Sequence, residues 1–117
     1  MEKPIVLVVG TRPDAIKLIP VYQKLKQIGI PTLLCATNQH RQLLDQVFQL
    51  FNTTPDIALN VMKENQSLSH VTTAVLEKST EFFTTINPRL VIVQGDTSSS
   101  YASALAAYYL NIPVAHV

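Results

Sequence analysis

Two glycine-led turns carry the side chains of this sequence that are best suited to chemistry. The first is Gly10-Thr11-Arg12, which follows the apolar run 5–9, with Lys17 one helical turn further on. Arg12 offers a planar fork of donors and Lys17 a point charge. The start of a helix would add free N–H groups and a positive dipole end. This combination suits an anion such as a diphosphate, but an ordinary strand-to-helix turn with surface cations has the same composition.

The second turn is Gly95-Asp96-Thr97, which follows the predicted buried strand 90–94. Asp96 is a candidate general acid or base, and its carboxylate could also bind a hydroxyl group. An aspartate at this position also suits the cap of a helix, where its charged form would be stabilised and it would be a poorer acid. The spacing of the residues leaves both roles open.

The remaining polar groups predict less. A polar cluster stands where the second predicted strand gives way to a helix, at Gln39-His40-Arg41-Gln42. This cluster could contact a ligand, or it could be the solvated first turn of the helix. We expect His70 and His116 to be structural. The scattered histidines and the single cysteine, Cys35, predict no metal site. The three glycines of the chain form neither a Walker A loop nor a GxGxxG fingerprint.

The apolar pattern predicts alternating strands and helices that position these turns. Continuous apolar runs predict buried parallel strands, and helical spacing predicts the segments between them. The predicted strands are 5–9, 32–36, 57–59, 90–94 and 113–117. The predicted helices run from a Thr11 cap to Gly29, from 40 to 51, from about 67 to 86, and from after Thr97 to about 110. The third helix is expected to bury Leu68, Val71, Val75, Phe82 and Ile86.

This order predicts an α/β fold with a doubly wound, Rossmann-like parallel sheet. Ligands of such sheets bind beyond the carboxyl ends of the strands, near the point where the strand order reverses. We therefore expect Gly10-Thr11-Arg12 and Gly95-Asp96-Thr97 to lie side by side at that point.

Length and composition restrict the class of protein. The 117 residues allow one domain, and the charged fraction of 15% indicates buried strands and a face that is covered in the intact protein. A net charge of +1 without a basic run argues against a nucleic-acid partner. The run 5–9 is too short for a signal peptide or a membrane span, and the lone Cys35 fits a reducing, cytoplasmic compartment. The sequence stops inside the strand pattern 113–117, so we expect a truncated domain.

Several motifs occur in order along the whole chain. They are Gly10-Thr11-Arg12-Pro13-Asp14-Ala15-Ile16-Lys17 with Leu18-Ile19-Pro20, Thr37-Asn38-Gln39-His40-Arg41, Leu44-Asp45-Gln46-Val47, Gly95-Asp96-Thr97, Leu105-Ala106-Ala107 and Ile112-Pro113-Val114-Ala115-His116-Val117. This set resembles the non-hydrolysing UDP-N-acetylglucosamine 2-epimerases. The sequence departs from that family at Asp14, where Glu is usual, and at Ser98-Ser99, where threonines are usual. It also carries Asn65 where some members have an arginine of an effector site.

The resemblance implies a fold, an activity and roles for single residues. Residues 1–117 would form the N-terminal half of a two-domain glycosyltransferase-B (GT-B) fold, without the second, UDP-binding domain. The intact protein would be a cytoplasmic isomerase and a homodimer. It would interconvert UDP-N-acetylglucosamine and UDP-N-acetylmannosamine by elimination and re-addition of UDP, without a cofactor, a metal, a nucleic acid or a membrane. This chain alone would be inactive.

The same resemblance assigns site residues. Asp96 would be the catalytic acid or base. The substrate-binding residues would be Gly10, Arg12, Lys17 and Thr97. A candidate allosteric effector site would contain Gln39, Gln42 and Gln66, although the residue at Asn65 weakens it.

Two other functions stay open. The chain could be a non-catalytic binding module or subunit that pairs with a separate second domain, which the reading frame beyond Val117 would reveal. A glycosyltransferase or a hydrolysing epimerase could also use this fold, and release of free sugar rather than a UDP-linked product would identify the latter.

Overall fold

Strands and helices alternate along the chain and build one parallel sheet with helices on both faces. The computed structural model describes residues 2–38, 41–61 and 66–117. Its elements are β1 (Ile5–Val9), α1 (Arg12–Gln27), β2 (Thr32–Ala36), α2 (Arg41–Leu50), β3 (Ile57–Ala58), α3 (Leu68–Ile86), β4 (Leu90–Val93), α4 (Ser98–Tyr109) and β5 (Val114–His116). Within the described residues the strand order is β3-β2-β1-β4-β5, and every neighbouring pair is parallel. The predicted doubly wound α/β sheet is confirmed.

The central strand β1 shows why a continuous apolar run marks a strand that is covered on both faces. All five of its residues are buried. Successive side chains of a strand point to opposite faces. Ile5, Leu7 and Val9 accordingly pack in the cluster that includes α1 and α2, whereas Val6 and Val8 pack in the cluster that includes α3 and α4. The direction of winding reverses between β1 and β4.

Helix α3 buries most of the face that the sequence predicts, since Val71 and Val75 are buried and Phe82 and Ile86 are partly buried. Its buried residues are Val71, Val75, Ser79 and Phe83, which are spaced by four. A row spaced by four slants around a helix and can pack into the groove of a neighbour, and α4 offers a neighbour with small buried side chains such as Ala102 and Ala106. The prediction was wrong for Leu68, which is 72% exposed.

Two other features of the fold concern the single cysteine and the helices. Cys35 is buried in β2, and burial raises the pKa of its thiol to about 12, so the thiol stays protonated. No helix in the described ranges is both long enough and apolar enough to cross a bilayer.

Asp56, in the connection before β3, joins α1 to β2. Its Oδ2 accepts hydrogen bonds from the Tyr22 hydroxyl at 2.9 Å and from the backbone N–H of Leu34 at 2.8 Å. Burial, with the hydrogen bond to Asp56 and its charge, raises the pKa of Tyr22 to about 12 from an ordinary value of 10.0. The phenol therefore keeps its proton in the folded state at a pH where the unfolded chain loses it.

This shift makes stability depend on pH in the alkaline range. Between about pH 10 and about pH 12 the unfolded state binds fewer protons than the folded state, so the free energy of unfolding falls as pH rises. Tyr22→Phe should reduce that fall, and at neutral pH it should cost about 0.5–1.5 kcal/mol for the lost hydrogen bond. Chemical denaturation from about pH 8 to about pH 11 measures both effects. Tyr109→Phe, at an exposed tyrosine, is the matched control and should leave the slope unchanged. Equal slopes for Tyr22→Phe and the unsubstituted protein would contradict the assignment.

Candidate active site

The two glycine-led turns leave the same edge of the sheet side by side. Strands β1 and β4 are hydrogen-bonded neighbours, in a register that pairs Ile5 with Leu90 and Leu7 with Ile92. Since both strands run in the same direction, their carboxyl ends meet at one edge. The predicted adjacency of Gly10-Thr11-Arg12 and Gly95-Asp96-Thr97 is confirmed.

A junction of three turns fixes the distance between these two segments. Thr37, which follows β2, and Ser99, in the first turn of α4, are both fully buried, and their hydroxyl oxygens lie 2.8 Å apart. Gly10 packs against both of them. A Cβ on Gly10 would lie only 2.1 Å from Ser99 Oγ and 2.5 Å from Thr37 Oγ1. The structure therefore gives Gly10 a packing role, because any side chain there would push the β1 and β4 turns apart.

The carboxylate of Asp14 folds back onto the first turn. It is fully buried and accepts hydrogen bonds from the N–H groups of Gly10 at 3.0 Å and Thr11 at 2.8 Å, and from the Thr11 hydroxyl at 2.6 Å. Pro13 has no N–H to offer. Asp14 therefore takes the N–H groups of Gly10 and Thr11 and adds a negative charge, which leaves fewer free N–H groups for an anion than the sequence predicts. The nearby cations are the groups that would attract an anion here.

Arg12 and Lys17 are those cations. Both lie on the exposed face of α1, Arg12 in the first turn at the edge of the sheet and Lys17 in the second turn. Neither side chain forms a hydrogen bond or an ion pair with any residue of the described ranges. Their charges are therefore available to a phosphate or diphosphate, and their long side chains can both reach beyond the carboxyl end of β1.

Asp96 does not cap α4. The N-cap residue is Thr97, whose hydroxyl oxygen accepts a hydrogen bond from the backbone N–H of Ser100 at 3.1 Å and lies 2.9 Å from the Ser100 hydroxyl. Asp96 is exposed, and its carboxylate has no hydrogen-bond partner among the described residues. The capping role considered for Asp96 was wrong, and its carboxylate is available for a reaction. The hydroxyl of Thr97, predicted to bind substrate, is occupied by the cap.

Two residues that the sequence did not single out for chemistry lie beside Asp96. They are Tyr101, which is exposed one turn along α4, and His116, at the end of β5. They line a depression of about 450 Å³ together with Val93, Gly95, Asp96, Ser100, Ala104 and Val114. His116 was expected to be structural because it falls in a strand pattern. Its ring is exposed, however, and Nε2 lies 2.6 Å from the Gly95 carbonyl oxygen.

The candidate effector residues lie around the connections that follow β2 and β3. Gln42 is exposed in the first turn of α2, Gln66 stands just before α3, and Gln39 lies outside the described residues. The two connections are tied together by a hydrogen bond of 2.5 Å from the Asn38 amide to the Asn60 side-chain oxygen. Their joint role as an effector site stays a prediction.

A larger groove lies at the opposite edge of the sheet. It has a volume of about 1000 Å³ and is lined mainly by apolar groups, among them Ile30, Leu33 and Ile86, with Lys3 and Lys26. It contains none of the residues that the sequence singles out for chemistry.

Across the described residues, no group of three or more His, Cys, Asp or Glu side chains could hold a metal ion.

Comparisons with known proteins agree on one family. The family model described as UDP-N-acetylglucosamine 2-epimerase matches residues 23–117. The chain is 45% identical over 114 residues to the UDP-N-acetylglucosamine 2-epimerase of Bacillus subtilis, which covers 97% of this chain and 30% of that protein. The chain thus spans about 30% of the length of the curated relatives it matches.

Two solved structures with the same description are also similar. The Neisseria meningitidis enzyme bound to UDP-N-acetylglucosamine has a TM-score of 0.89 and 43% identity, over 97% of this chain and 31% of that one. The Methanocaldococcus jannaschii enzyme in complex with UDP-N-acetylglucosamine and UDP has a TM-score of 0.90 and 32% identity, over 97% of this chain and 32% of that one.

Proposed function

Since this chain belongs to the UDP-N-acetylglucosamine 2-epimerase family, we propose that the complete product of its gene interconverts UDP-N-acetylglucosamine and UDP-N-acetylmannosamine. The observation that carries the proposal is the placement of a carboxylate, Asp96, and two cations, Arg12 and Lys17, at one edge of the sheet. None of these three side chains forms a hydrogen bond or an ion pair with a described residue, so no structural contact explains their presence at this edge.

The proposed reaction needs both kinds of group. UDP leaves C1 with the electron pair of the C1–O bond while a base removes the proton from C2, which yields an enzyme-bound glycal. Re-addition of UDP and return of a proton to C2 from the other face give the epimer. In this scheme Asp96 exchanges a proton at C2, and Arg12 and Lys17 stabilise the charge on the departing diphosphate.

In this proposal Gly10 and Thr97 contribute to substrate binding through the conformation of the backbone. Gly10 is buried against Ser99, and the Thr97 hydroxyl caps α4. Neither side chain position is therefore open to a sugar or a phosphate. Both residues instead set the path of the two turns that present Arg12 and Asp96.

The wider organisation belongs to the same proposal. We propose that residues 1–117 form the first of two facing Rossmann-like domains of a GT-B fold, and that the second domain supplies most contacts to the uridine diphosphate. The intact protein is proposed to be a cytoplasmic homodimer that needs no cofactor, and Gln39, Gln42 and Gln66 are proposed to contact a second UDP-sugar as effector.

Isotope exchange tests the function. The complete gene product is incubated with UDP-N-acetylglucosamine in deuterated water, and the sugar is followed by proton NMR. We expect deuterium at C2 and formation of UDP-N-acetylmannosamine. Absence of both products would overturn the proposal. Release of free N-acetylmannosamine would instead identify a hydrolysing epimerase, and binding of the substrate without exchange would favour a non-catalytic module.

Removal of the cations should weaken substrate binding. A hydrogen bond to a charged group contributes about 1.5–3 kcal/mol, so Arg12→Ala and Lys17→Ala should each raise the KM for UDP-N-acetylglucosamine by about tenfold to a hundredfold. The effect should shrink as salt is added, since screening weakens exposed charge pairs. Lys24→Ala, at an exposed lysine in the last turn of the same helix, is the matched control and should leave KM unchanged. An equal rise in KM for Lys24→Ala would show that the effect is only one of net charge.

A further inference from the structure

The side chain of His116 is bonded to the turn that presents Asp96. Its Nε2 lies 2.6 Å from the carbonyl oxygen of Gly95. A carbonyl oxygen can only accept, so Nε2 must carry the proton in this contact. Nε2 is a donor both in one neutral tautomer of the ring and in the protonated ring. The contact therefore persists whether or not the imidazole is charged.

The backbone of β5 holds the same turn. The N–H of Val117 donates to the Val93 carbonyl at 2.9 Å, and the N–H of Gly95 donates to the Val117 carbonyl at 3.2 Å. Both polar groups of Gly95 are thus bonded to the end of β5. Strand β4 leads into the turn, and the hydrogen bonds from the end of β5 hold the turn in place.

Gly95 adopts a backbone conformation that residues with a side chain rarely adopt. Its φ of +73° lies in the left-handed region, and apart from its two chain neighbours no heavy atom lies within 4 Å of the position that a Cβ would occupy. Asp96, the next residue, has no hydrogen-bond partner in the described part of the chain. Ser100 Oγ also bonds this segment, at the Gln94 carbonyl and the Thr97 hydroxyl, but among the described residues His116 is the side chain found to bond Gly95 itself.

We propose that His116 is a positioning residue for Asp96: its Nε2–H fixes the Gly95 carbonyl and so directs the Asp96 carboxylate toward the substrate. This inference rests on the proposed function for its kinetic consequence, but the contact itself can be tested without it. A misplacement of the order of 1 Å at a reacting group can reduce the rate about a hundredfold.

Kinetic measurements distinguish a positioning role of His116 from a purely structural role and from a direct role in proton transfer. In the complete gene product, His116→Leu keeps bulk without a donor, and His116→Gln keeps an N–H donor near the place of Nε2. We expect His116→Leu to lower kcat by about tenfold to a hundredfold with KM changed by less than about twofold. His116→Gln should restore kcat to within about threefold of the unsubstituted protein, with the same pH profile. His70→Leu, at an exposed histidine of α3, is the matched control and should retain full activity.

Amide hydrogen exchange of the segment 94–98 provides the readout that is independent of activity. His116→Leu should increase the exchange of this segment severalfold, whereas His116→Gln and His70→Leu should not. If the unsubstituted protein shows no epimerase activity, the proposed function fails while this measurement still decides the role of His116. Unchanged exchange and unchanged kcat in His116→Leu would overturn the inference. Loss of one limb of the pH profile in His116→Gln would also overturn it, because His116 would then be the acid or base itself.

Discussion

Asp96→Asn should reduce deuterium exchange at C2 of UDP-N-acetylglucosamine by about a hundredfold to ten-thousandfold. The amide has nearly the shape of the carboxylate but cannot accept the C2 proton at neutral pH. Since the carboxylate has no hydrogen bond with any described residue, the substitution should leave the folded structure and its melting temperature unchanged. Single-turnover exchange, followed by NMR, measures the chemical step directly.

Asp45→Asn provides the matched control for this substitution. Asp45 is an exposed aspartate on α2, away from the β1 and β4 turns. The same change of charge at that position should leave the exchange rate unaltered. Exchange in Asp96→Asn at the rate of the unsubstituted protein would exclude Asp96 as the acid or base and would return the assignment to other carboxylates of the complete protein.

Gly10→Ala should damage both stability and activity. The new Cβ would meet Ser99 Cβ at 2.6 Å, besides the hydroxyl oxygens of Ser99 and Thr37. A Cβ atom cannot rotate out of the way, so the β1 and β4 turns must separate. Overpacking of this kind costs on the order of 1–3 kcal/mol of folding stability. The separation also moves Arg12 away from Asp96, so kcat should fall by about a hundredfold.

A double variant and a control substitution at Gly29 test whether the damage comes from the contact of Gly10 with Ser99. Gly10→Ala combined with Ser99→Gly removes the nearest of the overlapping atoms and should recover part of the stability and of kcat. Gly29→Ala, at the amino edge, places a side chain at a φ of +84° with no atom within 4 Å. Its backbone strain should cost about 1–2 kcal/mol without lowering kcat. Equal damage to kcat in Gly29→Ala, or no recovery in the double variant, would contradict the proposed junction.

Much of the fold follows from local patterns in the sequence. The runs 5–9 and 90–93 are apolar throughout because β1 and β4 are covered on both faces, and a glycine stands where the chain turns after each of them. The strand order and the adjacency of the two turns therefore follow from general rules of parallel sheets. Helix faces follow less directly from the sequence, as α3 shows: Phe82 and Phe83 are adjacent in sequence, and packing against the sheet and α4 buries Phe83 more than Phe82.

The site itself could be predicted only in part. Asp96 and Thr97 are both good helix caps by type, and the backbone path after Gly95 decides that Thr97 is the cap. Asp14 looks like a solvated first-turn acid, but it is buried against the N–H groups of Gly10 and Thr11. Neither outcome is encoded in spacing alone, because each depends on the dihedral angles of a turn.

Contacts between distant segments were beyond any local pattern. Thr37 and Ser99 are 62 residues apart, and they meet because β2 and β4 flank β1. His116 reaches Gly95 for a related reason, since β5 pairs with β4. The strand order brings these segments close together, but it does not determine which of their atoms are in contact.

A titration of the complete gene product with UDP-N-acetylglucosamine, followed by backbone amide NMR, shows whether the two turns bind the substrate together. We expect the signals of residues 10–12 and 95–97 to shift together with one affinity, and Arg12→Ala to weaken that affinity. The amino-edge groove around residues 29–33 is the internal comparison, because it is larger than the depression beside Asp96. Shifts confined to that groove, with none at either turn, would contradict the assignment of the site.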